Sequence, residues 1–237
     1  MGKVIRIKAR QSMVNYRKPA SFVIRETYPL PPYSTVIGMV HNVCGFTEYH
    51  PMKVSVQGRS RGITSDLFTC YSFANDGYNR KYDKERHQIK VPDGDENLGV
   101  VRGISHTELL CNVELILHLE PVADDFDTIM AGLNRPMVYP ALGRHEDLLD
   151  IEEITEVEVR QDETVTTLRD IYIPISLLSK TDNAEGIEGT VYQLPKEYVI
   201  ENGFRRWKEP VKTRYVGAEN RLYDFWVDGD QNPVALI

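Results

Sequence analysis

Hydrophobic and polar residues alternate along four segments of the chain, a pattern typical of half-buried β-strands. Residues 4–10 carry apolar side chains at their odd positions and cations at the even positions from Arg6 onward. The same alternation returns at 52–61, at 111–119 and, with an acidic polar face, at 151–160. We expect these segments to be strands that share one apolar inner face.

Two segments between those strands repeat their apolar residues at the spacing of an α-helix. Residues 33–44 open on Ser34 or Thr35, either of which can cap a helix, and Gly45 follows the last apolar residue. Residues 124–135 begin with an acidic turn, which suits the positive end of a helix dipole. Each of the two predicted helices therefore joins one strand to another.

The order strand, helix, strand, repeated once, is that of a split β-α-β fold such as the ferredoxin-like or RNA-recognition domain. We therefore expect an α+β protein in which residues 1–164 form a ferredoxin-like RNA-binding domain. Residues 62–105 interrupt it with polar, glycine-containing sequence and two weak strand-like stretches, which predicts a long β-hairpin arm. Residues 165–237 carry short strand patterns between Gly, Pro and Asp residues, which predicts a small β-rich C-terminal lobe.

Composition narrows the class of protein without identifying a chemistry. With 41% hydrophobic and 27% charged residues, the chain is expected to fold around an apolar core. It has no apolar run of about 18 residues, and its N-terminus lacks the apolar stretch of a signal peptide, so we expect a cytoplasmic protein without a membrane span. The cysteines and histidines show no metal-ligand spacing, and the common phosphate-binding and hydrolase motifs are missing, so neither a metal nor a cofactor is expected.

The net charge of −7 is unevenly distributed along the chain. Residues 1–61 hold ten lysines and arginines against two glutamates, whereas residues 119–237 hold twelve basic and twenty-four acidic residues. An anionic ligand is therefore expected to bind the N-terminal part. The dense acidic tract at 146–158 is expected to be a solvated strand face. The alternative is that this tract docks a basic partner subunit.

The N-terminal cations lie among aromatic residues in a proline-rich loop. Clustered lysines and arginines bind phosphates, and unpaired bases stack on aromatic rings. The first N–H groups of the helix at Ser34 and Thr35 would add a site for an anion. The pattern predicts one cationic cradle, including residues 4–10, for a single-stranded nucleic acid. The alternative is a solvated charged face whose cations cover apolar surface. The rings expected to stack are Tyr16, Phe22, Tyr28 and Tyr33.

Three segments carry a resemblance to a known family. They are NYRKPASFVIRETYPLPPYSTVIGMVHNVCGF (15–46), YPALGRHEDLLDIEEI (139–154), and VYQLPKEYVI followed by NGFRRW and RYV (191–216). Together they resemble the CRISPR-associated "Cas five" family, a branch of the RAMP proteins, and most of all its version in type I-B effector complexes. The motif Pro-x-x-Ser-Thr-x-x-Gly-Met, combined with the later Leu-Gly-Arg-x-Glu-Asp, is the most specific part.

The resemblance implies a ferredoxin-like domain with a long β-hairpin between its second and third strands. It also implies a non-catalytic subunit that binds the 5′ handle of the CRISPR RNA and caps the foot of a Cascade-type complex. Such a subunit contacts the large and backbone subunits and meets target DNA through the complex. The RNA-binding residues expected from the motifs and the charge pattern are Arg17, Lys18, Arg25, Tyr33, Ser34, Thr35, Arg59, Arg61, Arg102 and Arg144.

Two other functions stay open. One branch of the family cleaves CRISPR RNA precursors, and metal-independent cleavage needs a base at the 2′-hydroxyl and an acid at the leaving oxygen. Such groups are available in one of two sets, Tyr82, Lys84 and His87, or Tyr49 and His50. The other alternative is a scaffold subunit that contacts only proteins, through the acidic tract.

Overall fold

A computed structural model describes residues 3–21, 24–73, 81–181, 183–202 and 204–237, except for the side chain of Arg205. In these residues the helices are α1 (Tyr33–Cys44), α2 (Phe126–Asn134) and α3 (Ile175–Leu178), with 3-10 turns at Ala123–Asp125 and Ala184–Gly186. The strands are β1 (Val4–Val14), β2 (Ile24–Arg25), β3 (Met52–Arg59), β4 (Gly62–Phe73), β5 (Ile89–Asp93), β6 (Glu96–Pro121), β7 (Asp150–Val157), β8 (Val159–Thr166), β9 (Asp170–Pro174), β10 (Thr190–Leu194), β11 (Tyr198–Glu201), β12 (Phe204–Trp207), β13 (Val211–Val216) and β14 (Arg221–Asp228).

The main sheet follows the order β10-β13-β9-β3-β6-β1-β7, and β2, β4 and β5 also pair with β6. β1 lies antiparallel between β6 and β7, and β3 pairs antiparallel with β6. Both predicted helices are confirmed, α1 over the expected residues and α2 starting after a short 3-10 turn. The chain is thus a mostly antiparallel α+β protein. Among the described residues, no helix is long and apolar enough to cross a membrane.

One face of the central strands packs against both helices. Ile5 and Ile7 of β1 are buried in one cluster with Ile129 of α2 and with residues of α1. Gly132 allows close packing of α2 on α1, since a Cβ at that position would lie 2.5 Å from Sγ of Cys44. Burial of each large aliphatic side chain contributes about 1.5–3 kcal/mol, so this interface forms the main core.

β4 and the first half of β6 form an arm where the sequence predicts one. Their antiparallel register runs from Gly62 opposite Cys111 to Phe73 opposite Val100. β5 pairs with the beginning of β6 farther along the arm. Because β6 is a single strand of 26 residues, the arm and the core share one continuous strand.

Beyond β7 the chain builds a second apolar cluster. β8 pairs with β14, and Val165 and Leu222 of this pair are buried together with Ile171 of β9. β9 also pairs with β3, so this part extends the main sheet. The single strand predicted at 151–160 is in fact two strands, β7 and β8, and the domain boundary expected after residue 164 falls inside β8.

The face of β1 and β6 that is turned away from the helices carries a buried ionic network at one end. Nη1 of Arg6 donates to Oδ2 of Asp228 at 2.9 Å, and Nε2 of His118 lies 3.1 Å from the same oxygen. Asn232 donates its backbone N–H and its amide to the Asp228 carboxylate at 2.8–3.1 Å. A buried charge is costly unless it is paired and hydrogen-bonded, so these contacts fix the turn after β14 against the sheet.

The network also sets the ionisation of its members. Burial would raise the pKa of Asp228, but hydrogen bonds from His118, Asn232 and Arg6 outweigh burial and hold the pKa well below its ordinary value. Burial lowers the pKa of His118, and the Arg6 guanidinium lowers it further, against the opposing effect of Asp228. Near neutral pH the carboxylate is therefore charged and the imidazole is neutral.

The C-terminal segment continues from this network across the sheet. The carbonyl of Pro233 accepts a hydrogen bond from Nε2 of Gln57 at 2.8 Å, and the N–H of Ala235 donates to Oγ of Ser55 at 2.9 Å. Residues 233–237 thereby cover one half of the helix-free face. The other half, nearer the arm, stays open.

The lowered pKa of His118 predicts a loss of stability in mild acid. The unfolded imidazole takes up its proton below its ordinary pKa of about 6.5, whereas the folded one does so only at lower pH. The stabilising effect of neutral His118 is therefore present above that value and decreases as the pH falls below it. We expect this group to lower the free energy of unfolding by at most about 1.4 kcal/mol per pH unit.

Urea unfolding of the wild type and of His118→Gln, measured from about pH 7 to about pH 5, checks this expectation. Glutamine retains a donor for Asp228 but has no proton to titrate, so the pH dependence should become shallower. His145→Gln is the matched control, because the His145 side chain is 98% exposed. An equally steep pH dependence in His118→Gln would contradict the assignment.

Candidate nucleic-acid interface

The open half of the helix-free face begins with a row of charged side chains across three strands. The registers place Arg59 of β3 and Arg10 of β1 opposite Glu114 of β6. Arg59 contacts Oε2 of Glu114 through Nε at 2.8 Å and Nη2 at 2.7 Å, and Nη1 of Arg10 lies 3.1 Å from Glu152 of β7. Both arginines are therefore held by acidic neighbours.

A groove of about 610 Å³ lies at this end of the sheet, where the arm begins. Its volume is in the range typical of small-ligand sites. Glu114 and Asp150 also line the groove, so its charge is mixed rather than uniformly positive. The lining residues that matter for recognition are Arg10, Ser12, Arg61, Asn112, Tyr139 and Leu148.

Arg61 is the cation of the groove that has no acidic partner. It lies in the short break between β3 and β4, where its backbone N–H donates to the carbonyl of Cys111 at 2.9 Å. Its side chain is exposed and makes no ion pair or hydrogen bond with the residues that the structure describes. Because Arg59 already holds Glu114, the Arg61 guanidinium is available to an anionic ligand.

Ion pairing divides the ten cations of residues 3–61 into two groups. Within the described residues, seven form ion pairs, several of them with the acidic strand β7, which runs beside β1. β7 therefore neutralises the β1 cations of the expected cradle across the sheet, and their contact with nucleic acid stays a prediction. The seven paired cations are Lys3, Arg6, Lys8, Arg10, Lys18, Lys53 and Arg59. The three that have no acidic partner among the described residues are Arg17, Arg25 and Arg61.

Arg25 lies beside the arm, part-way along β4. It belongs to β2, which pairs in parallel with β6, and its guanidinium carbon is 4.6 Å from the centroid of the Phe68 ring on β4. This distance is that of a cation–π contact. Asn15 holds the segment in place, since its Nδ2 donates to the carbonyls of Arg25 and Glu108, both at 2.8 Å. The buried Nε of Arg25 has no hydrogen-bond partner among the described atoms.

Arg144 is held by a carboxylate that is almost fully buried. Its Nη2 lies 2.6 Å from Oδ1 of Asp147, and its own N–H and that of Asn15 donate to Oδ2 at 2.9 and 3.1 Å. The hydrogen bond to Asp147 raises the pKa of Arg144, against the effect of burial. Asp147 therefore joins the loop after α2 to the end of β1, and Arg144 holds this carboxylate from within the loop. A contact of Arg144 with nucleic acid stays a prediction.

The remaining predicted cations lie on the loop before α1 and on the arm. Arg17 is exposed, and Nζ of Lys18 is 3.0 Å from Glu26 on the same loop. Arg102 is exposed on β6, opposite Tyr71 of β4. Arg61 thus lies at the foot of the arm, Arg25 lies beside the middle of β4, and Arg102 lies farther along the arm.

Three of the four rings expected to stack on bases belong to the core. Tyr16, Tyr28 and Tyr33 are 1%, 7% and 0% exposed, so the expectation is wrong for them. Their rings fill apolar space beneath the sheet, and the hydroxyl of Tyr33 lies 3.4 Å from Oγ1 of Thr213. Phe22 lies outside the described residues.

The start of α1 does not offer the expected anion site. The N–H of Ser34 donates to the carbonyl of Pro195 at 3.0 Å, and that of Thr35 donates to the carbonyl of Pro32 at 2.9 Å. The residue that precedes the helix is Pro32, and no side chain caps the first turn. Both N–H groups are used within the protein and are not available to an anion. A contact of the Ser34 and Thr35 side chains with RNA stays a prediction.

Comparison with known proteins identifies the family. Residues 4–217 match the family described as CRISPR-associated protein (Cas_Cas5). The chain belongs to this family. The match includes β1, α1, the arm, the groove and the loop that carries Arg144.

The fold is similar to that of a solved structure. A chain of a "CRISPR RNA-guided surveillance complex" aligns with a TM-score of 0.55 at 18% identity, covering 97% of this chain and 92% of that one. Two more distant structures are "Crystal structure of Cas protein" (TM-score 0.46, 11% identity, 91% and 95% covered) and "Crystal structure of a CRISPR protein from Archaeoglobus fulgidus" (TM-score 0.41, 13% identity, 98% and 97% covered). No curated protein matches the sequence.

In this Cas five protein, the first set of residues considered for RNA cleavage lies on the arm, where its histidine has a structural role. His87 is buried, and its Nδ1 accepts the N–H of Asp83 at 3.0 Å. Its ring fills the space where a side chain at Gly99 would lie. The centroid of the Tyr82 ring is 6.3 Å from it, and Lys84 is exposed. His87 therefore joins the two sides of the arm.

The second set lies on the helical side of the molecule. His50 stacks on Phe46, with 3.7 Å between ring centroids, and Nδ1 of His50 is 2.9 Å from Asp125. Tyr49 packs edge-on against Tyr198 at 5.0 Å, and burial raises the pKa of its phenol to about 12. Such a phenol is a poor base at neutral pH. The described residues contain no group of three or more ligating side chains placed for a metal ion.

Two residues that line the groove are not predicted by the sequence pattern. Tyr139 opens the motif YPALGR and is 66% exposed, yet a single tyrosine before a proline gives no sign of its position. Asn112 interrupts the alternation of β6, and its backbone has a φ of 50°, which non-glycine residues adopt rarely. Only the structure shows that both reach the groove of Arg61.

Removal of the Arg144 side chain should destabilise the protein. Arg144→Ala leaves the buried carboxylate of Asp147 without its charged donor, which costs about 2 kcal/mol. Arg135→Ala is the matched control, because Arg135 is exposed and a change there should stay within about 0.5 kcal/mol. Chemical denaturation of the three proteins measures the difference. Equal stability of Arg144→Ala and wild type would contradict the role of Arg144 in holding the Asp147 carboxylate.

Proposed function

We propose that this protein is a non-catalytic subunit of a type I CRISPR RNA-guided surveillance complex that binds the 5′ handle of the CRISPR RNA and caps the foot of the complex. The observation that carries the proposal is the position of the unpaired N-terminal cations. Arg61 lies at the foot of the arm and Arg25 lies beside the arm at Phe68, whereas seven of the other cations in residues 3–61 are paired with acids among the described residues.

A phosphate binds less favourably to an arginine that already has a carboxylate partner, because it has to compete with that ion pair. A phosphate that approaches Arg6 or Arg59 has to displace a carboxylate at hydrogen-bonding distance. At Arg61 no such carboxylate has to be displaced, so the phosphate gains a charge-assisted hydrogen bond and releases condensed counterions. The best sites for a polyanion are therefore at the foot of the arm, next to a groove that offers polar groups and a ring.

Our interpretation of the fold is part of this proposal. Strand, helix, strand is repeated around the order β7-β1-β6-β3, which we interpret as a ferredoxin-like β-α-β-β-α-β domain with the arm inserted between β3 and the core half of β6. We interpret the cluster around β8, β9 and β14 as the small C-terminal lobe. The cytoplasmic setting, the type I-B assignment, the large and backbone subunits as partners, and access to target DNA through the complex are part of the proposal.

The contacts proposed for the handle are Arg17, Arg25 and Arg61 as phosphate ligands, with Arg102 on the arm. Lys18, Arg59 and Arg144 contribute at longer range, because each already binds a carboxylate. Cleavage of RNA has less support than binding, because His87 packs inside the arm and His50 is held between Phe46 and Asp125. Neither arrangement places a free base beside a free acid.

Arg61→Gln tests the proposal. Loss of one phosphate contact should weaken binding of a short single-stranded RNA by about tenfold, a usual size for one charged hydrogen bond. It should also make the slope of log affinity against log salt shallower by about one unit. Fluorescence anisotropy over a series of salt concentrations measures both quantities.

Arg221→Gln is the matched control, because Arg221 is also an exposed arginine but begins β14, away from the arm. It should change neither the affinity nor the salt slope. If Arg61→Gln and Arg221→Gln bind RNA as the wild type does, the proposed interface is wrong. RNA cleavage in the presence of a chelator, lost in His50→Ala, would instead favour the nuclease.

A further inference from the structure

The groove beside Arg61 has two chemically different sides. One side carries the exposed guanidinium of Arg61. The other side is formed by the loop that follows α2, whose side chains Tyr139 and Leu148 are 66% and 54% exposed although both are large and apolar. No hydrogen bond of the Tyr139 hydroxyl is present among the described residues. A ring that neither packs in the core nor bonds within the protein is free to contact a ligand.

The floor between these sides contains a strained polar residue. Asn112 lies in the middle of β6 with a φ of 50°. This conformation costs about 1 kcal/mol for a residue with a side chain, although asparagine tolerates it better than most. The Asn112 side chain is exposed and lines the groove, so its amide offers one acceptor and two donor hydrogens. Ser12 of β1 lines the same floor and adds a hydroxyl.

The arrangement has the three elements that one unpaired nucleotide requires. A cation receives the phosphate, an aromatic ring provides a stacking face, and an amide meets the edge of the base. The acids of the groove favour separate sites for the phosphate and the base, because Glu114 is held by Arg59 and Asp150 lies opposite Arg10. The phosphate is therefore directed to Arg61, and the base is directed to Tyr139.

Resting on the proposed function, we propose that this groove binds a single flipped-out nucleotide of the RNA, with its base stacked on Tyr139 and its edge read by Asn112. An asparagine amide makes two hydrogen bonds with adenine. The pocket therefore prefers adenine to uracil. Tyr139 and Asn112 confer base recognition, whereas Arg61 contributes affinity that does not depend on sequence.

The test uses the full chain and three fluorescent single-stranded RNA decamers: oligoadenylate, oligouridylate and a decamer of abasic nucleotides. Loss of one stacked base costs about 1–3 kcal/mol, which is roughly fivefold to a hundredfold in affinity. Tyr139→Ala should weaken binding of oligoadenylate by that factor and leave binding of the abasic decamer unchanged. Tyr139→Phe keeps the ring and should bind oligoadenylate as the wild type does.

Asn112→Gly separates base reading from folding. Glycine adopts a φ of 50° without strain, so the variant should fold and still bind RNA, but its preference for oligoadenylate over oligouridylate should be lost. A wild-type protein without that preference, or one that persists in Asn112→Gly, would overturn the role of Asn112. Equal affinity of Tyr139→Ala and wild type for oligoadenylate would overturn the stacking site.

Arg61→Gln distinguishes failure of the pocket from failure of the proposed function. It should weaken binding of all three decamers, including the abasic one, because the phosphates are common to them. If Arg61→Gln weakens binding and Tyr139→Ala does not, RNA binding stands and the nucleotide pocket is wrong. If neither variant changes the affinity for any decamer, both are wrong.

Discussion

The buried contact of Arg6 and His118 with Asp228 determines which part of the sheet can meet a ligand. Asp228 lies at the end of β14, and the segment that follows it runs across the helix-free face as far as Ser55 and Gln57. A charge pair that is removed from water has to be fully hydrogen-bonded to be tolerated, and Asn232 and the two basic groups satisfy this carboxylate. One half of the face is thereby closed, and the groove at the foot of the arm is left open.

Ion pairs in the rest of the sheet also limit which part of it can bind a ligand. The acids of β7 neutralise the cations of β1 across their shared register, so hydrogen bonds from Arg6 and Lys8 hold the pKa of Glu153 near 2. The net effect is that, among the described residues, three N-terminal cations are left without an acidic partner, and two of them, Arg25 and Arg61, lie close to the arm. Where a polyanion can bind this protein depends on which cations are already ion-paired as well as on where the cations lie.

The sequence predicted the local elements well because they depend on local periodicity. The bounds of α1, the strand patterns of β1 and β3 and the presence of an arm all follow from side-chain spacing and from Gly45 or Pro136 at the ends. It failed where a residue's role depends on a distant partner. The ring of Tyr33, the N–H of Ser34 and the charge of Arg10 are all used by residues far along the chain, namely Thr213, Pro195 and Glu152. No spacing rule reveals such partners.

The proposed RNA binding requires contact between an unpaired RNA strand and the open half of the sheet face. The most direct measurement is ultraviolet cross-linking of the protein to single-stranded RNA, followed by identification of the cross-linked residues by mass spectrometry. The account predicts cross-links around residue 61, around Arg25 and in the loop of Tyr139. Cross-links confined to the covered half, near Ser55 and Pro233, or to the helical side near His50, would contradict it.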